Sequence, residues 1–233
     1  MIQLYAIDLN NFEPTTNYAR YYSLLEQERL FRIQQFQFEK DRTVCTVSGL
    51  LFQYIARCCF QLKKQEACLT YNQQGKPLML NSPFHFSISH SGDWVLCAWS
   101  DQPIGVDVEK TEKIIDYLDI ARLFFHPTEY TTIQQLRKEQ QLAYFYRIWT
   151  VKESYIKYSG EGLSRPLSSF CVNEDEDGFT LSSLPESCAL QSGWLDLKHP
   201  YSICASDKMT GFCIDYISPA IFLSELDQLL KEE

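Results

Sequence analysis

The sequence has 233 residues, of which 45% are hydrophobic, so it fits one large globular domain or two small ones and excludes a disordered chain. The net charge of −9 argues against a nucleic-acid partner, and no apolar run is long enough to predict a membrane span. The nine cysteines lack CxxC spacing, which indicates the reduced thiols of a cytoplasmic protein rather than disulfides or a zinc site.

The first hundred residues predict a strand followed by helices and then by further strands. The first residues are typical of a strand and lack the basic and apolar regions of a signal peptide. In chain order, the predicted elements are a strand at 2–8, helices at 17–38 and 41–61, a turn at 71–77, and strands at 84–90 and 94–99.

The rest of the chain repeats this order of strand, helices and strands. The predicted elements are a strand at 105–109, helical segments over 114–159 with a main helix at 143–158, strands at 170–172, 178–181, 194–197, 201–206 and 211–217, and a helix at 224–230. The order predicts an α+β protein in two similar-sized halves, residues 1–102 and 103–233.

Two short segments carry most of the chemical information. Asp107 and Glu109 are separated by one apolar residue in a β-branched run, so side-chain alternation along a strand places both carboxylates on one face. Trp149, Glu153 and Lys157 follow each other at intervals of four residues and therefore line one stripe of a helix. Carboxylates with neighbouring lysines suit a divalent metal and a phosphorylated ligand, because magnesium prefers hard oxygen ligands.

Each segment also has an ordinary structural interpretation. Asp107 and Glu109 fit outward-facing residues of a strand, because a lone D-x-E triplet is a weak signal. Glu153 and Lys157 fit an exposed helical ion pair, which stabilises a helix by only about 0.3–0.5 kcal/mol. Trp149 on the same stripe makes full exposure a poorer explanation.

Two further motifs are candidates for phosphate binding or catalysis. Residues 75–77, Gly-Lys-Pro, lack the second glycine and the Ser or Thr of a P-loop, so they are consistent with a plain turn or with a lysine near a phosphate. Ser89 and His90 resemble a serine-hydrolase pair, but the G-x-S-x-G elbow is absent and the two side chains point to opposite faces of a strand. A histidine that donates to a phosphate is the preferred interpretation.

Taken together, the motifs resemble the Sfp type of 4′-phosphopantetheinyl transferases over most of the chain. The segments that carry the resemblance are 75–77, 86–92, 103–110, 124–130, 149–157 and 160–163. The resemblance implies two similar α+β halves related by a pseudo-two-fold axis, with the active site in the cleft between them.

The resemblance also implies the reaction and its partners. Coenzyme A would be the donor, Mg²⁺ or alternatively Mn²⁺ the cofactor, and a serine of an apo acyl or peptidyl carrier protein the acceptor. The products would be the holo carrier protein and adenosine 3′,5′-bisphosphate. A cytoplasmic monomer that serves nonribosomal peptide or polyketide synthesis is the preferred setting.

Carried over by position, the resemblance assigns roles to individual residues. Asp107, Glu109 and Glu153 would hold the metal, and Asp107, Glu153 and Lys157 would be catalytic, with Glu153 as the expected proton acceptor. The residues expected to bind coenzyme A are Arg29, Arg32, Gly75, Lys76, Pro77, Ser89, His90, Lys152 and Lys157.

Two features depart from the resemblance or extend it. Val44 and Cys45 stand where the family often has an arginine and a threonine, so either Arg42 supplies the missing charge or the grip on the 3′-phosphate is weaker. Carrier proteins are usually acidic and this chain is acidic too, so a largely apolar docking patch is expected. The candidate residues for that patch are Tyr117, Leu118, Phe124, Phe125 and Tyr144.

Two other functions stay open at this point. The first is a catalytically silent protein that binds coenzyme A or a carrier protein, although such a protein has no need of the three carboxylates. The second is a magnesium-dependent phosphohydrolase, which would release phosphate from nucleotides without a carrier.

Overall fold

The structure, a computed structural model, describes residues 2–72, 74–79, 82, 84–112, 114, 116–184, 188–206 and 213–232, with the backbone alone for residue 163. None of the helices in these ranges combines the length and the apolar character that crossing a bilayer requires. The predicted strand at 211–217 starts with two residues that lie outside the described ones.

The first half runs from strand to helices to strands, as predicted. Its elements are β1 (Ile2–Asp8), α1 (Gln27–Gln35), α2 (Glu39–Gln53), β2 (Leu69–Tyr71), β3 (Pro77–Met79), β4 (His85–Ser91) and β5 (Trp94–Ser100). The elements that follow are β6 (Ile104–Val108), α3 (Tyr117–Phe124), α4 (Pro127–Gln135), α5 (Lys138–Ser159), β7 (Cys171–Asp175), β8 (Gly178–Ser182), β9 (Ala189–Trp194), β10 (Pro200–Ala205), β11 (Ile214–Tyr216) and α6 (Pro219–Leu229).

The two halves repeat one topology. Each begins with a strand, continues with helices and a small hairpin, and ends with a larger hairpin whose second strand pairs antiparallel with the first strand of that half. The resulting sheets have the orders β11-β1-β5-β4 and β6-β10-β9. The predicted α+β class with two similar halves is therefore confirmed.

The end of the described chain returns to the first half. β11 pairs parallel with β1, with Ile214 opposite Leu4, and the apolar face of α6 places Phe222 and Leu226 in the first hydrophobic core. The expected second half, 103–233, is corrected here, because its last strand and helix complete the sheet and core of the first half.

Two of the hydrophobic cores that the described residues form lie on opposite faces of the first sheet. One lies between α2, α6 and the first sheet, where the rings of Phe52 and Trp99 stack with their centroids 5.7 Å apart. The other lies between the two sheets and contains Leu96 from β5 and Val106 from β6. This second core fixes β6 against the first half.

The predicted helix at 17–38 is interrupted. A 3₁₀ helix covers Tyr18–Leu24, and α1 follows only after Leu25 and Glu26, whose backbones are extended. Leu25 is buried in the first core, and packing of this side chain accompanies the break. Helical periodicity continues on both sides of the break, so the sequence pattern alone did not show it.

Two other elements differ from the prediction at their ends. The predicted helix at 41–61 is confirmed as α2 together with the π-helical turn that follows it. The predicted strand at 194–197 is wrong beyond its first residue, because the carboxylate of Asp196 accepts the backbone N–H groups of Lys198 and His199 and forms a turn.

A glycine brings the main helix against the strand that carries the two carboxylates. A side chain at Gly105 of β6 would collide with the backbone of Ser154 and Tyr158 on α5. The absence of a side chain therefore allows the close approach of β6 and α5. As a result, Asp107 on β6 lies beside Lys157 on α5.

Candidate active site between the two halves

A cleft runs along the contact between the two halves. Three adjoining cavities of about 850, 490 and 280 Å³ share Ile88 of β4 in their walls. The largest contains the three predicted metal-binding residues and Lys157. The smaller two contain all the residues of the first half that were expected to bind coenzyme A except Ser89, which lines the largest cavity.

Asp107 is the most buried acid of the cleft, with 4% of its surface exposed. Its Oδ1 accepts hydrogen bonds from Lys157 Nζ at 2.7 Å and from Ser89 Oγ at 2.9 Å. Its Oδ2 is buried and has no hydrogen-bond partner among the described residues. Burial raises the pKa of Asp107, and the nearby Lys157 opposes this rise. An uncompensated buried carboxylate oxygen is unfavourable unless a ligand satisfies it.

The other two carboxylates add negative charge to the same cavity. Burial and then the charge of Asp107 raise the pKa of Glu109 to about 7. The same two causes, in the same order, raise the pKa of Glu153. Since Lys157 is the cation that opposes all three acids in these shifts, the cluster favours an additional positive charge.

A divalent cation fits this arrangement, although the carboxylates are not already gathered around one point. Within the described ranges, no three His, Cys, Asp or Glu side chains form a group close enough to hold a metal ion. Asp107, Glu109 and Glu153 nevertheless line one cavity, and Asp107 offers a buried oxygen to which no described residue forms a hydrogen bond. Carboxylate oxygens are the ligands that Mg²⁺ prefers.

Ser89 and His90 lie at the centre of the cleft. Ser89 is buried, and its hydroxyl binds Asp107 and Lys157 rather than facing freely into the cavity. His90 lines both the acidic cavity and the 490 Å³ cavity. Desolvation and the positive charge of Lys157 lower the pKa of His90, so the neutral imidazole is favoured at neutral pH.

The 490 Å³ cavity is the basic end of the cleft. Arg29 and Arg32 of α1 line it together with Gly75 and Pro77, so the structure brings these four predicted residues together. Arg29 is 7% exposed, and its Nε is buried without a hydrogen-bond partner among the described residues. The guanidinium of Arg32 lies over the ring of Tyr71, 4.9 Å from its centroid. Sequence reasoning did not single out Tyr71.

Lys76 has a different environment from the one expected. It lines the 280 Å³ cavity, and its ammonium donates to the backbone carbonyl of Lys157 near the C-terminal end of α5. Burial and the charge of Lys157 lower the pKa of Lys76 to about 8. Asn72 of the same hairpin donates to the carbonyl of Gly160 at 3.1 Å. The ammonium of Lys76 therefore ties the two halves together rather than lying open to a phosphate.

Lys152 is not part of the cleft, which corrects its expected role at the phosphates. The side chain is fully buried, and its ammonium donates to the carbonyl oxygens of Leu167 and Phe170, both at 2.8 Å. It also forms an ion pair with Glu129 at 2.8 Å. All three N–H donors are thus used inside the second half, and none can reach a ligand in the cleft.

The apolar rim of the acidic cavity comes from the end of α3. Leu123 and Phe124 are 67% and 52% exposed and line the cavity. Phe125, which was expected to join the docking patch, is 2% exposed and stacks on Phe145 in the core. The expected patch was therefore wrong for Phe125, and the sequence missed Leu123.

Comparison with known proteins extends over both halves. The family profile described as 4′-phosphopantetheinyl transferase superfamily matches residues 103–209, and that described as 4′-phosphopantetheinyl transferase, N-terminal, matches residues 10–102. A solved holo-(acyl-carrier-protein) synthase from Bacillus anthracis is 19% identical with a TM-score of 0.40, covering 45% of this chain and 96% of its own.

Curated relatives match at higher identity. The chain is 32% identical over 206 residues to the 4′-phosphopantetheinyl transferase psf-1 of Bacillus pumilus, covering 87% of this chain and 88% of that protein. It is 34% identical over 209 residues to the 4′-phosphopantetheinyl transferase Sfp of Bacillus subtilis (strain 168), covering 88% of this chain and 92% of that protein. Because this similarity spans both halves and nearly the whole relative, the chain belongs to the 4′-phosphopantetheinyl transferase superfamily.

Proposed function

We propose that this protein transfers the 4′-phosphopantetheine group of coenzyme A to a serine of an apo carrier protein, giving the holo carrier protein and adenosine 3′,5′-bisphosphate. The observation that carries the proposal is the buried Oδ2 of Asp107, which has no hydrogen-bond partner in the described part of the chain and shares one cavity with Glu109, Glu153 and Lys157. The similarity of the chain to Sfp over both halves supports the same reaction.

The basic end of the cleft suits the nucleotide part of coenzyme A. Arg29 and Arg32 would bind its 3′-phosphate, since guanidinium groups bind phosphate oxygens through several N–H donors. Gly75 and Pro77 in the same cavity would border the adenine. His90 lies between this cavity and the acidic one, where a neutral imidazole can donate a hydrogen bond to the pyrophosphate.

The acidic end suits a divalent cation, Mg²⁺ or alternatively Mn²⁺. Asp107, Glu109 and Glu153 would hold it, and the bound ion would supply positive charge to the pyrophosphate oxygens. Lys157 adds a fixed ammonium at the same place, positioned by Asp107 Oδ1 and Ser89 Oγ. Fixed positive charge stabilises the negative charge that develops on the leaving bisphosphate.

The transfer step needs an acceptor for the serine proton. The carrier serine oxygen forms a bond to the β-phosphorus of coenzyme A, and the bond from that phosphorus to the oxygen bridging the pyrophosphate breaks. The serine proton passes to the carboxylate of Glu153, and the electron pair of the broken bond leaves with the bisphosphate. The raised pKa of Glu153 makes it a stronger base than an exposed glutamate.

The rim and the thiols support the setting that we propose. Leu123 and Phe124 offer an exposed apolar surface beside the acidic cavity, where a carrier protein of nonribosomal peptide or polyketide synthesis would dock. Nine cysteines without a disulfide are what a reducing compartment such as the cytoplasm leaves in a protein. We propose a monomer, because each chain contributes both walls of the cleft.

The test is to incubate the protein with apo carrier protein, coenzyme A and Mg²⁺ and to weigh the carrier by mass spectrometry. A mass gain equal to one phosphopantetheine group is expected, and it should vanish with EDTA or in Asp107→Ala. Binding of coenzyme A without any mass gain on acyl or peptidyl carriers would instead identify a silent binding protein. Release of phosphate from nucleotides without a carrier would identify a phosphohydrolase.

A further inference from the structure

A row of serines connects the two halves beside the acidic cavity. β4 and β6 lie against each other but belong to different sheets, so the backbone N–H groups on this side of β6 need acceptors from outside their own sheet. Ser87, Ser89 and Ser91 supply these acceptors, because alternate residues of β4 share one face. We call these three residues the serine row.

The serine row follows the register of β6 at every second residue. The backbone N–H of Val106 donates to Ser87 Oγ at 3.1 Å, and that of Val108 donates to Ser89 Oγ at 3.3 Å. Ser91 Oγ accepts the backbone N–H of Lys110 at 2.9 Å. Side-chain oxygens thus replace the carbonyl groups of a neighbouring strand.

Two of these hydroxyls, those of Ser89 and Ser91, also donate to carboxylates, that of Asp107 on β6 and that of Glu109 directly after it. Ser89 Oγ donates to Asp107 Oδ1 at 2.9 Å, and Ser91 Oγ donates to Glu109 Oε2 at 2.9 Å. A hydroxyl has a single proton, so an accepted N–H bond on one side helps to fix the direction in which it donates. The equivalent position for Ser87 is Gly105, which has no side chain to receive the proton.

We propose that Ser91 is a positioning residue, which holds Glu109 beside Asp107 so that the two carboxylates form a fixed receptor for a divalent cation. The catalytic consequence of this role for Ser91 rests on the proposed transferase function. Ser91 itself touches neither the cation nor coenzyme A in this proposal. It acts by binding one oxygen of Glu109, as hydrogen-bond partners of metal ligands do in other sites.

The chain offers a matched control in Ser87. Ser87→Ala removes one backbone hydrogen bond to β6, as Ser91→Ala does, but it removes no bond to a carboxylate. Ser91→Thr keeps the hydroxyl and tests whether the oxygen, rather than the serine as such, is needed. Ser89 is less suitable for the test because its hydroxyl also binds Lys157.

The experiment is a titration of each full-length variant with Mn²⁺, followed by electron paramagnetic resonance of the free ion, first alone and then with coenzyme A. Carrier protein is left out so that no transfer occurs. Ser91→Ala should weaken Mn²⁺ binding about tenfold, in the range found for partners of metal ligands. Ser91→Thr should restore the affinity, and Ser87→Ala should keep it even where thermal melting shows an equal loss of stability.

Two results of the comparison between variants would overturn the positioning role. One is an unchanged Mn²⁺ affinity in Ser91→Ala, and the other is an equal loss of affinity in Ser87→Ala, which would make the serine row purely structural. Absence of Mn²⁺ binding to the unmodified protein in both titrations would overturn it as well.

The carrier assay separates this inference from the proposed function. Transfer by the unmodified protein together with unchanged Mn²⁺ affinity in Ser91→Ala refutes the positioning role alone. A tenfold weaker Mn²⁺ affinity in Ser91→Ala, in a protein that transfers nothing to any carrier, supports the positioning role and refutes the transferase.

Discussion

Two lysines of helix α5 each pair with a carboxylate of another element. The two ion-pair distances are nearly the same, but the surroundings of the pairs differ. Lys152 lies 2.8 Å from Glu129, and Lys157 lies 2.7 Å from Asp107. In the first pair both side chains are almost fully buried, whereas the Lys157 side chain is 29% exposed. Their distances alone would not tell these pairs apart.

Completeness of hydrogen bonding separates the two pairs. Lys152 uses all three donors, and Glu129 also accepts the backbone N–H groups of His126 and Val172. In the other pair, Lys157 has two acceptors among the described residues and Asp107 keeps one oxygen without a partner. A complete network stabilises the fold, and an incomplete one in a cleft is available to a ligand.

The largest effect is expected from breaking the complete pair. Lys152→Met leaves the charge of Glu129 buried and unpaired, so the free energy of unfolding should fall by about 3–5 kcal/mol in urea denaturation. The double variant Lys152→Met, Glu129→Gln removes both charges and should recover part of that loss. Transfer per folded molecule should stay normal in the double variant, and a selective loss of transfer would place this pair in the active site.

Breaking the pair of Lys157 and Asp107 should instead lower transfer without lowering stability. Asp107→Asn keeps the shape of the side chain but removes the charge that faces the cation, so kcat/KM for carrier modification should fall about 10²–10³-fold. The melting temperature should stay the same or rise, because a buried charge, one oxygen of which has no hydrogen-bond partner among the described residues, becomes a neutral amide. A strongly lowered melting temperature would show that Asp107 serves the fold instead.

Lys157→Met should give a smaller loss of transfer. The fixed ammonium beside the pyrophosphate is removed while the carboxylates remain, so kcat should fall about 10–10²-fold at saturating Mg²⁺. The control is Lys110→Met, since the Lys110 ammonium pairs with Glu112 instead of Asp107, Glu109 or Glu153. Equal losses in both variants would mean that general surface charge, rather than the position of Lys157, matters.

The smallest expected effect is the pH dependence of stability set by Glu109. Its pKa is raised from 4.5 to about 7, so the unfolded state loses this proton first as pH rises. Stability should therefore fall between pH 4.5 and 7. Glu109→Gln should be more stable than the unmodified protein above pH 7, by about 1–2 kcal/mol after allowance for partial exposure.

The comparison of Glu109→Gln with the unmodified protein tests whether ionisation of Glu109 causes this pH dependence. Thermal melting of both proteins across this pH window measures the difference, which should vanish below pH 4.5. A constant difference at every pH would show that the glutamine changes packing and that ionisation of Glu109 has no part in it. Mg²⁺ should also stabilise the unmodified protein more above pH 7 than below it.

The acidic cavity could be predicted from the sequence because the spacing of residues along one strand or one helix determines which side chains share a face. A period of two placed Asp107 and Glu109 on one face, and a period of four placed Glu153 and Lys157 on one stripe. The same rule could have excluded Lys152 from that stripe, because five residues correspond to a turn of about 140° around the helix. Composition and motif offered no such warning, since a lysine beside a predicted metal-binding glutamate suits a phosphate site.

Long-range pairing accounts for what the sequence did not show. Alternating serines at 87, 89 and 91 are visible in the chain, but their partners on β6 depend on how the two halves meet. The same holds for Gly105, whose need for close approach appears only when α5 is in place. The break before α1 coincides with the burial of Leu25, which no local pattern specifies.

The return of β11 and α6 to the first half has a consequence for synthesis. Because Phe222 and Leu226 fill the first core, that core stays unfinished while the intervening residues are being made. N-terminal units ordinarily fold first during synthesis, but here the first half cannot complete its core until β11 and α6 have been made. A nascent chain that stalls before residue 214 would display an open apolar surface on its oldest part, which makes the first half the region most dependent on chaperones.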